Sequence, residues 1–266
     1  MSKRFKNKLC VYCGIEQSTT ADHVFARSLF LERRRSGLPK VPACKACNGA
    51  KAKLEHYLSQ LLPFGGRHQD ASENLSTAVE ARLAKNRPMQ QALRAGMEPA
   101  WLADPSGLVL PTHTISLDAE DLEKWCVMVV KGLAWHHWKE LYPAGTCFEF
   151  FVPTGDGEQI LAALFSRRGR NPLDVTLGNG TFSYQALQGW EIAPPMSVWR
   201  LRLYGGLMLG GANGRERSTS IGMLVAPKVV EDRVVQKMRW TFGGPRIAQE
   251  TARKSPLWIP KLSVGP

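Results

Sequence analysis

Four cysteines arranged as two Cys-x-x-Cys pairs, Cys10/Cys13 and Cys44/Cys47, constrain this chain more than any other feature. Each pair makes a tight knuckle whose two sulfurs point the same way. Two knuckles brought together offer four thiolates, the tetrahedral set that suits a structural zinc ion. The 30 residues between Cys13 and Cys44 are then clamped at both ends. A clamped loop of that size holds a short hairpin carrying the dipeptide Asp22-His23, facing a helix that begins at Asn48, directly after the last cysteine. Disulfides or free thiols are the competing explanation. No secretory segment precedes the pairs, so the expectation is a reducing compartment, the cytoplasm, in which thiolates bind metal.

The order Cys-x-x-Cys, Asp-His, Cys-x-x-Cys-Asn, helix resembles the HNH endonuclease family, or ββα-metal fold, over roughly residues 8–62. Asp22-His23 continues as Val24-Phe25-Ala26-Arg27-Ser28, similar to the family's Asp-His-x-x-Pro-x-Ser stretch but with Ala26 where the proline usually sits. The resemblance implies a metal-dependent endonuclease that hydrolyses phosphodiester bonds, with DNA favoured because the family mostly cuts DNA. It implies His23 as the general base, and Asp22 and Asn48 as ligands of a catalytic Mg²⁺ or Mn²⁺. His56 falls where the family's final histidine often lies.

The chemistry asks for such groups. Phosphodiester cleavage at neutral pH needs an activated water, charge neutralisation on the phosphorane, and help for the departing oxygen. Histidine titrates near neutrality and can accept the proton of the water. A divalent ion can act as the Lewis acid, and one held by only two protein oxygens keeps sites open for water and phosphate. Two geometric conditions follow. Neighbouring residues on a flat strand face opposite ways, so a bulge or turn is required at Asp22-His23. In one continuous helix the eight residues from Asn48 to His56 rise about 12 Å, too far to share an ion. Either the helix then starts later, or His56 serves a phosphate or the packing. The alternative to an enzyme is a noncatalytic zinc-knuckle protein that binds nucleic acid.

Charge is distributed as a polyanion partner requires. The chain carries 35 Lys+Arg against 23 Asp+Glu, net +12, and +8 of this lies in residues 1–70. Lys3, Arg4, Lys6 and Lys8 form a basic arm before the first knuckle, and Arg33, Arg34 and Arg35 cluster inside the clamped loop. Lys51 and Lys53, near the helix start, are candidate phosphate contacts, as is the helix N-terminus itself. Basic density of this kind favours nucleic acid through counterion release and steering.

The remaining sequence indicates an α+β fold. A small N-terminal zinc-stabilised ββα module, residues 1–66, is expected to end at Pro63-Phe64-Gly65-Gly66. Residues 67–266 would form a larger α+β domain with a mostly antiparallel sheet, serving target recognition or regulation. Residues 72–95 read as helical with a break at Pro88. Residues 116–141 read as a core helix capped by Ser116 or Asp118, with an apolar face at Leu122, Trp125, Val129 and Leu133. Strands are predicted over 147–152, 182–190, 198–209 and 220–225, with a helix over 156–168. The tail 240–266 is rich in Pro and Gly. His136 and His137 point about 100° apart on a helix and do not chelate together. Cys126 and Cys147 read as buried free thiols, and Arg200 and Arg202 as the wet face of a sheet. No apolar run reaches membrane-spanning length, since Lys131 interrupts the longest one.

Overall fold

Residues 5, 7–103, 106–153, 155–166, 170–189, 196–210, 217–227 and 254–259 are described by a computed structural model. The clamped segment folds as expected into two short strands and a helix. Strand β1 (Thr20–His23) pairs antiparallel with β2 (Lys40–Ala43), and α1 (Lys45–Leu61) follows at once. The helix starts three residues earlier than predicted because Cys44 caps it, its sulfur accepting from the Cys47 N–H at 3.4 Å.

Beyond α1 the expected helical stretch is broken into pieces: α2 (Gln69–Asn74), a single π turn, α3 (Glu80–Ala84) and α4 (Arg87–Ala95). The break falls at Lys85–Asn86 and not at Pro88. Pro88 occupies the first turn of α4, where its missing N–H is harmless, and Asn86 caps the Met89 N–H. Next come β3 (Met97–Ala103) and β4 (Val109–Asp118), a hairpin the sequence reading did not anticipate. The core helix α5 (Ala119–Trp138) starts at Asp118, whose carboxylate accepts from the N–H groups of Glu120 and Asp121.

The last part supplies β5 (Cys147–Phe151), α6 (Asp156–Ser166), β6 (Arg170–Leu177), β7 (Phe182–Gln188), β8 (Ser197–Leu203), β9 (Leu209–Gly210), β10 (Arg217–Ser218), β11 (Ile221–Ala226) and β12 (Lys254–Ile259). These build two five-stranded antiparallel sheets, ordered β5-β11-β8-β7-β6 and β10-β9-β12-β4-β3. The strand predicted over 198–209 is thus two strands in different sheets, separated by the turn at Tyr204-Gly205-Gly206. In β8 burial alternates: Trp199, Leu201 and Leu203 point inward, and Arg200 on the other face meets Glu158 of α6. Part of the predicted tail is β12; the rest of 240–266 lies outside the described residues.

Helix α5 is the centre of the molecule, touching α1, β2, β4, β5 and β11. Trp125, Cys126, Val129, Val130 and Leu133 on it are all wholly buried. The core runs without interruption across residues 66/67. Phe25, just after β1, packs at a 45° tilt against Phe182 of β7 with ring centroids 4.2 Å apart. The backbone N–H groups of Arg67 and His68 both donate to the Tyr204 carbonyl. Tyr204, itself buried, receives a bond from Asn74 at 3.0 Å and donates to the Leu29 carbonyl. Gly132 lets α5 approach this junction: a Cβ there would lie 2.9 Å from a methyl of the buried Val24.

Candidate metal centre and the Asp22–His23 strand end

The first knuckle is a turn in which the Gly14 N–H donates to the Cys10 carbonyl at 2.8 Å, with Gly14 at φ +69°. It is laid along β2 by bonds from Val11 to Pro42 and from Thr19 to Ala43. The second knuckle is the first turn of α1. The four sulfurs of Cys10, Cys13, Cys44 and Cys47 therefore converge, all within 4.8 Å of one another. A tetrahedral ion with bonds of ~2.3 Å to sulfur needs sulfurs about 3.8 Å apart, so the group can hold a metal ion such as zinc.

Three of its thiols are perturbed, in different directions. Burial raises the Cys10 thiol, and burial together with the hydrogen bond to Cys44 raises Cys47 strongly. Burial also opposes ionisation of Cys13, but backbone donors from Glu16 and Ile15, together with hydrogen bonds from Cys10 and Cys47, bring this thiol down to about 7. Lys131 of α5 faces the cluster and donates to the Tyr12 carbonyl at 2.9 Å. Four thiolates around a divalent ion carry a net negative charge, and this half-buried lysine balances part of it. In sequence Lys131 is only an interruption of an apolar run; its partner is contributed from 119 residues away.

The strand end carrying Asp22-His23 is organised differently from expectation. The ladder is unbroken, Asp22 opposite Val41 and His23 opposite Lys40, so the required bulge is absent. Asp22 accordingly faces inward, buried, and His23 is half-buried at the last position of β1, before a bend at Val24–Phe25. Burial lowers the pKa of His23, helped by Lys40 and Arg27 and opposed by Asp22.

Behind Asp22 lies Lys51 of α1, and here the sequence reading needs correcting. Expected as a phosphate contact, Lys51 is wholly buried. Its ammonium donates to Glu55 Oε1 at 2.6 Å and the His23 carbonyl at 2.8 Å, and lies 3.1 Å from Asp22 Oδ2. Asp22 Oδ2 also accepts from the Tyr12 hydroxyl at 2.6 Å, and Glu55 Oε1 from the Trp125 indole N–H at 3.3 Å. Tyr12 and Glu55 were not singled out from sequence. The signals were present: Tyr12 sits inside the first knuckle, and Glu55 stands four residues beyond Lys51 on one helix face.

This packing bears on the catalytic Mg²⁺ or Mn²⁺ expected at Asp22 and Asn48. Asn48, in the first turn of α1, donates from its amide nitrogen to Thr20 Oγ1 at 3.1 Å, two residues before Asp22 on the same strand. The Asp22 carboxylate, however, already faces an ammonium and a hydroxyl. As packed, Asp22 does not fit a divalent ion. For His56 the continuous-helix alternative holds. The helix is continuous from Lys45, so His56 is two turns past Asn48 and exposed, and the two cannot share an ion.

The remaining basic candidates divide. Lys53 is exposed. Arg33 is paired with Glu73, Arg34 lies 3.7 Å from the buried Asp70, and Arg35 donates to the carbonyls of Arg27 and Phe30. Arg33 and Arg34 thus tie the loop after β1 to α2, while Arg35 braces the loop itself. Lys3, Arg4 and Lys6 lie outside the described residues, while Lys8 stands 5.4 Å over the Trp135 ring. His137 meets the Tyr184 hydroxyl at 2.7 Å, a packing role as expected. Cys126 is buried, whereas Cys147 is only partly so and points its thiol at Glu149.

The class these features define is a mixed α/β protein with a four-cysteine metal-binding group near its start. Among the described residues no helix is long and apolar enough to cross a membrane. Comparison with protein-family models, with curated proteins and with solved structures gave no match.

Proposed function

We propose that this protein is a zinc-organised nuclease of the HNH type, hydrolysing phosphodiester bonds in nucleic acid, with DNA as the expected substrate and His23 as general base. One observation carries the reading: a four-cysteine group ties a β-hairpin to a helix, so that the strand ending in Asp22 and His23 meets the first turn of the helix through Thr20 and Asn48. Zinc at the cysteines would have a structural role, fixing β2 and α1 to the knuckle that carries Tyr12.

His23 is half-buried, and its lowered pKa leaves it neutral at pH 7, the form that accepts a proton. Asp22 acts from behind, by holding Tyr12 and Lys51. A divalent ion would supply Lewis-acid assistance to the phosphate, but Asp22 is not packed to receive one. Lys53, exposed on α1, offers positive charge to the backbone of the substrate.

The ion pair between Lys51 and Asp22 favours a second reading, a zinc-knuckle protein that binds nucleic acid without cutting it. Nicking of supercoiled DNA separates the two. The nuclease reading expects cutting by the wild type and a loss of at least ~10²-fold in His23→Ala, with DNA affinity and zinc content unchanged. Cutting by His23→Ala at the wild-type rate overturns the assignment of the base. Binding with no cutting by the wild type, with or without added Mg²⁺ or Mn²⁺, establishes the binding module instead.

A further inference from the structure

We infer that Lys51 is the resident cation of this site, seated at the point where Asp22 would otherwise hold a divalent ion. An ammonium has three N–H donors. Here three acceptors surround it: Asp22 Oδ2 at 3.1 Å, Glu55 Oε1 at 2.6 Å and the His23 carbonyl at 2.8 Å. The Tyr12 ring flanks the same nitrogen at 5.9 Å, and no part of Lys51 reaches solvent. Two carboxylate oxygens and one backbone carbonyl converging on a point are also the ligand set of a hard divalent ion. The lysine fills that point with a charge the chain cannot lose to a chelator.

Two consequences follow for the nuclease reading, on which this inference builds. Asp22 is an anchor for Lys51, and its replacement acts through position. Lys51 is a positioning residue for His23, because it grips the carbonyl of the residue whose side chain is the base. Removing the ammonium while keeping both carboxylates turns the seat into a cavity lined by two carboxylates and a backbone carbonyl. A Lys51→Ala variant is therefore expected to bind a divalent ion that the wild type does not.

The test uses the full chain with zinc bound, Mn²⁺ as the probe and no nucleic acid. In the wild type, the indole N–H resonance of Trp125, which donates to Glu55 Oε1, reports on the seat. It should survive stoichiometric Mn²⁺, and it should be erased by paramagnetic broadening in Lys51→Ala. Mn²⁺ titration followed by electron paramagnetic resonance should give one new site per chain in Lys51→Ala, with an affinity on the order of 10⁻⁴ M or tighter, lost again when Glu55→Gln is added. Broadening of the Trp125 signal in the wild type overturns the inference, and so does a zinc-loaded Lys51→Ala that binds Mn²⁺ no better than the wild type. If Lys51→Ala fails to retain zinc, the wild-type spectrum decides alone. None of these results depends on DNA cutting, so failure here leaves the nicking assay standing, and the reverse also holds.

Discussion

Replacing Phe25 by alanine asks whether the cysteine-bearing segment and the rest of the chain share one core. Phe25 is fully buried directly after the Asp22-His23 strand. Its ring centroid lies 4.2 Å from that of Phe182 on β7 and 6.3 Å from those of Phe30 and Tyr184. Truncating a phenylalanine in such a setting costs about 3–5 kcal/mol, through lost transfer energy and a cavity that rigid neighbours do not fill. The upper half of that range is expected here, because two of the neighbours are fixed on a sheet, and the melting temperature should fall by roughly 10 °C. Phe182→Ala should cost a similar amount, and the double mutant should fall short of the sum by about 1 kcal/mol, since one ring contact is then counted twice. The assay is urea unfolding at saturating zinc, followed both by tryptophan fluorescence and by metal release to a chromogenic chelator. The two probes should report one coincident transition in every variant. An additive double mutant, a loss below ~1 kcal/mol, or metal release well before the fluorescence change would refute the shared core.

Two further outcomes are expected. Cys44→Ser should abolish stoichiometric zinc binding, measured by metal analysis of purified protein, because it removes one of the four sulfurs able to hold an ion and the cap of α1, whereas Cys126→Ser should bind zinc as the wild type does. His137, whose pKa burial beside Tyr184 lowers to about 4, is neutral in the fold and gains a proton more readily when unfolded. Its contribution is therefore complete above about pH 6.5 and is lost as pH falls from there towards about 4. In urea melts over that window, His137→Gln should flatten the decline; an unchanged slope would show that another group drives it.

The parts of the structure that sequence made legible are those set by local chemistry. The cysteine spacing specified both knuckles, and the Asp118 cap with the apolar face at Leu122, Trp125, Val129 and Leu133 specified α5. What escaped depends on distant partners. Strands β3 and β4 carry Pro99 and Pro111, which read as strand breakers, and β4 pairs with β12 far along the chain. Lys51 escaped for the same reason. A lysine on a helix reads as solvated until Asp22, 29 residues earlier, and the His23 carbonyl are seen to close over it. The Arg33–Arg35 triplet was visible as charge, but Glu73 and Asp70, the partners of Arg33 and Arg34, come from a different element.

The place of β12 in its sheet has a consequence for biosynthesis. It is an interior strand, seated between β9 and β4, with Lys254 opposite Asp118 and Ile259 opposite His113. During translation β4 therefore leaves the ribosome with one edge unpaired, and it waits for residues 254–259. At roughly 5–20 residues per second that delay lasts on the order of 10 s, long beside the microseconds in which a hairpin such as β3–β4 closes. For that interval the nascent chain offers a bare strand to any neighbour able to add to it. Dense polysomes should thus be the setting in which this protein aggregates most, and a chaperone covering β4 should raise its soluble yield more than slower cooling of the finished chain.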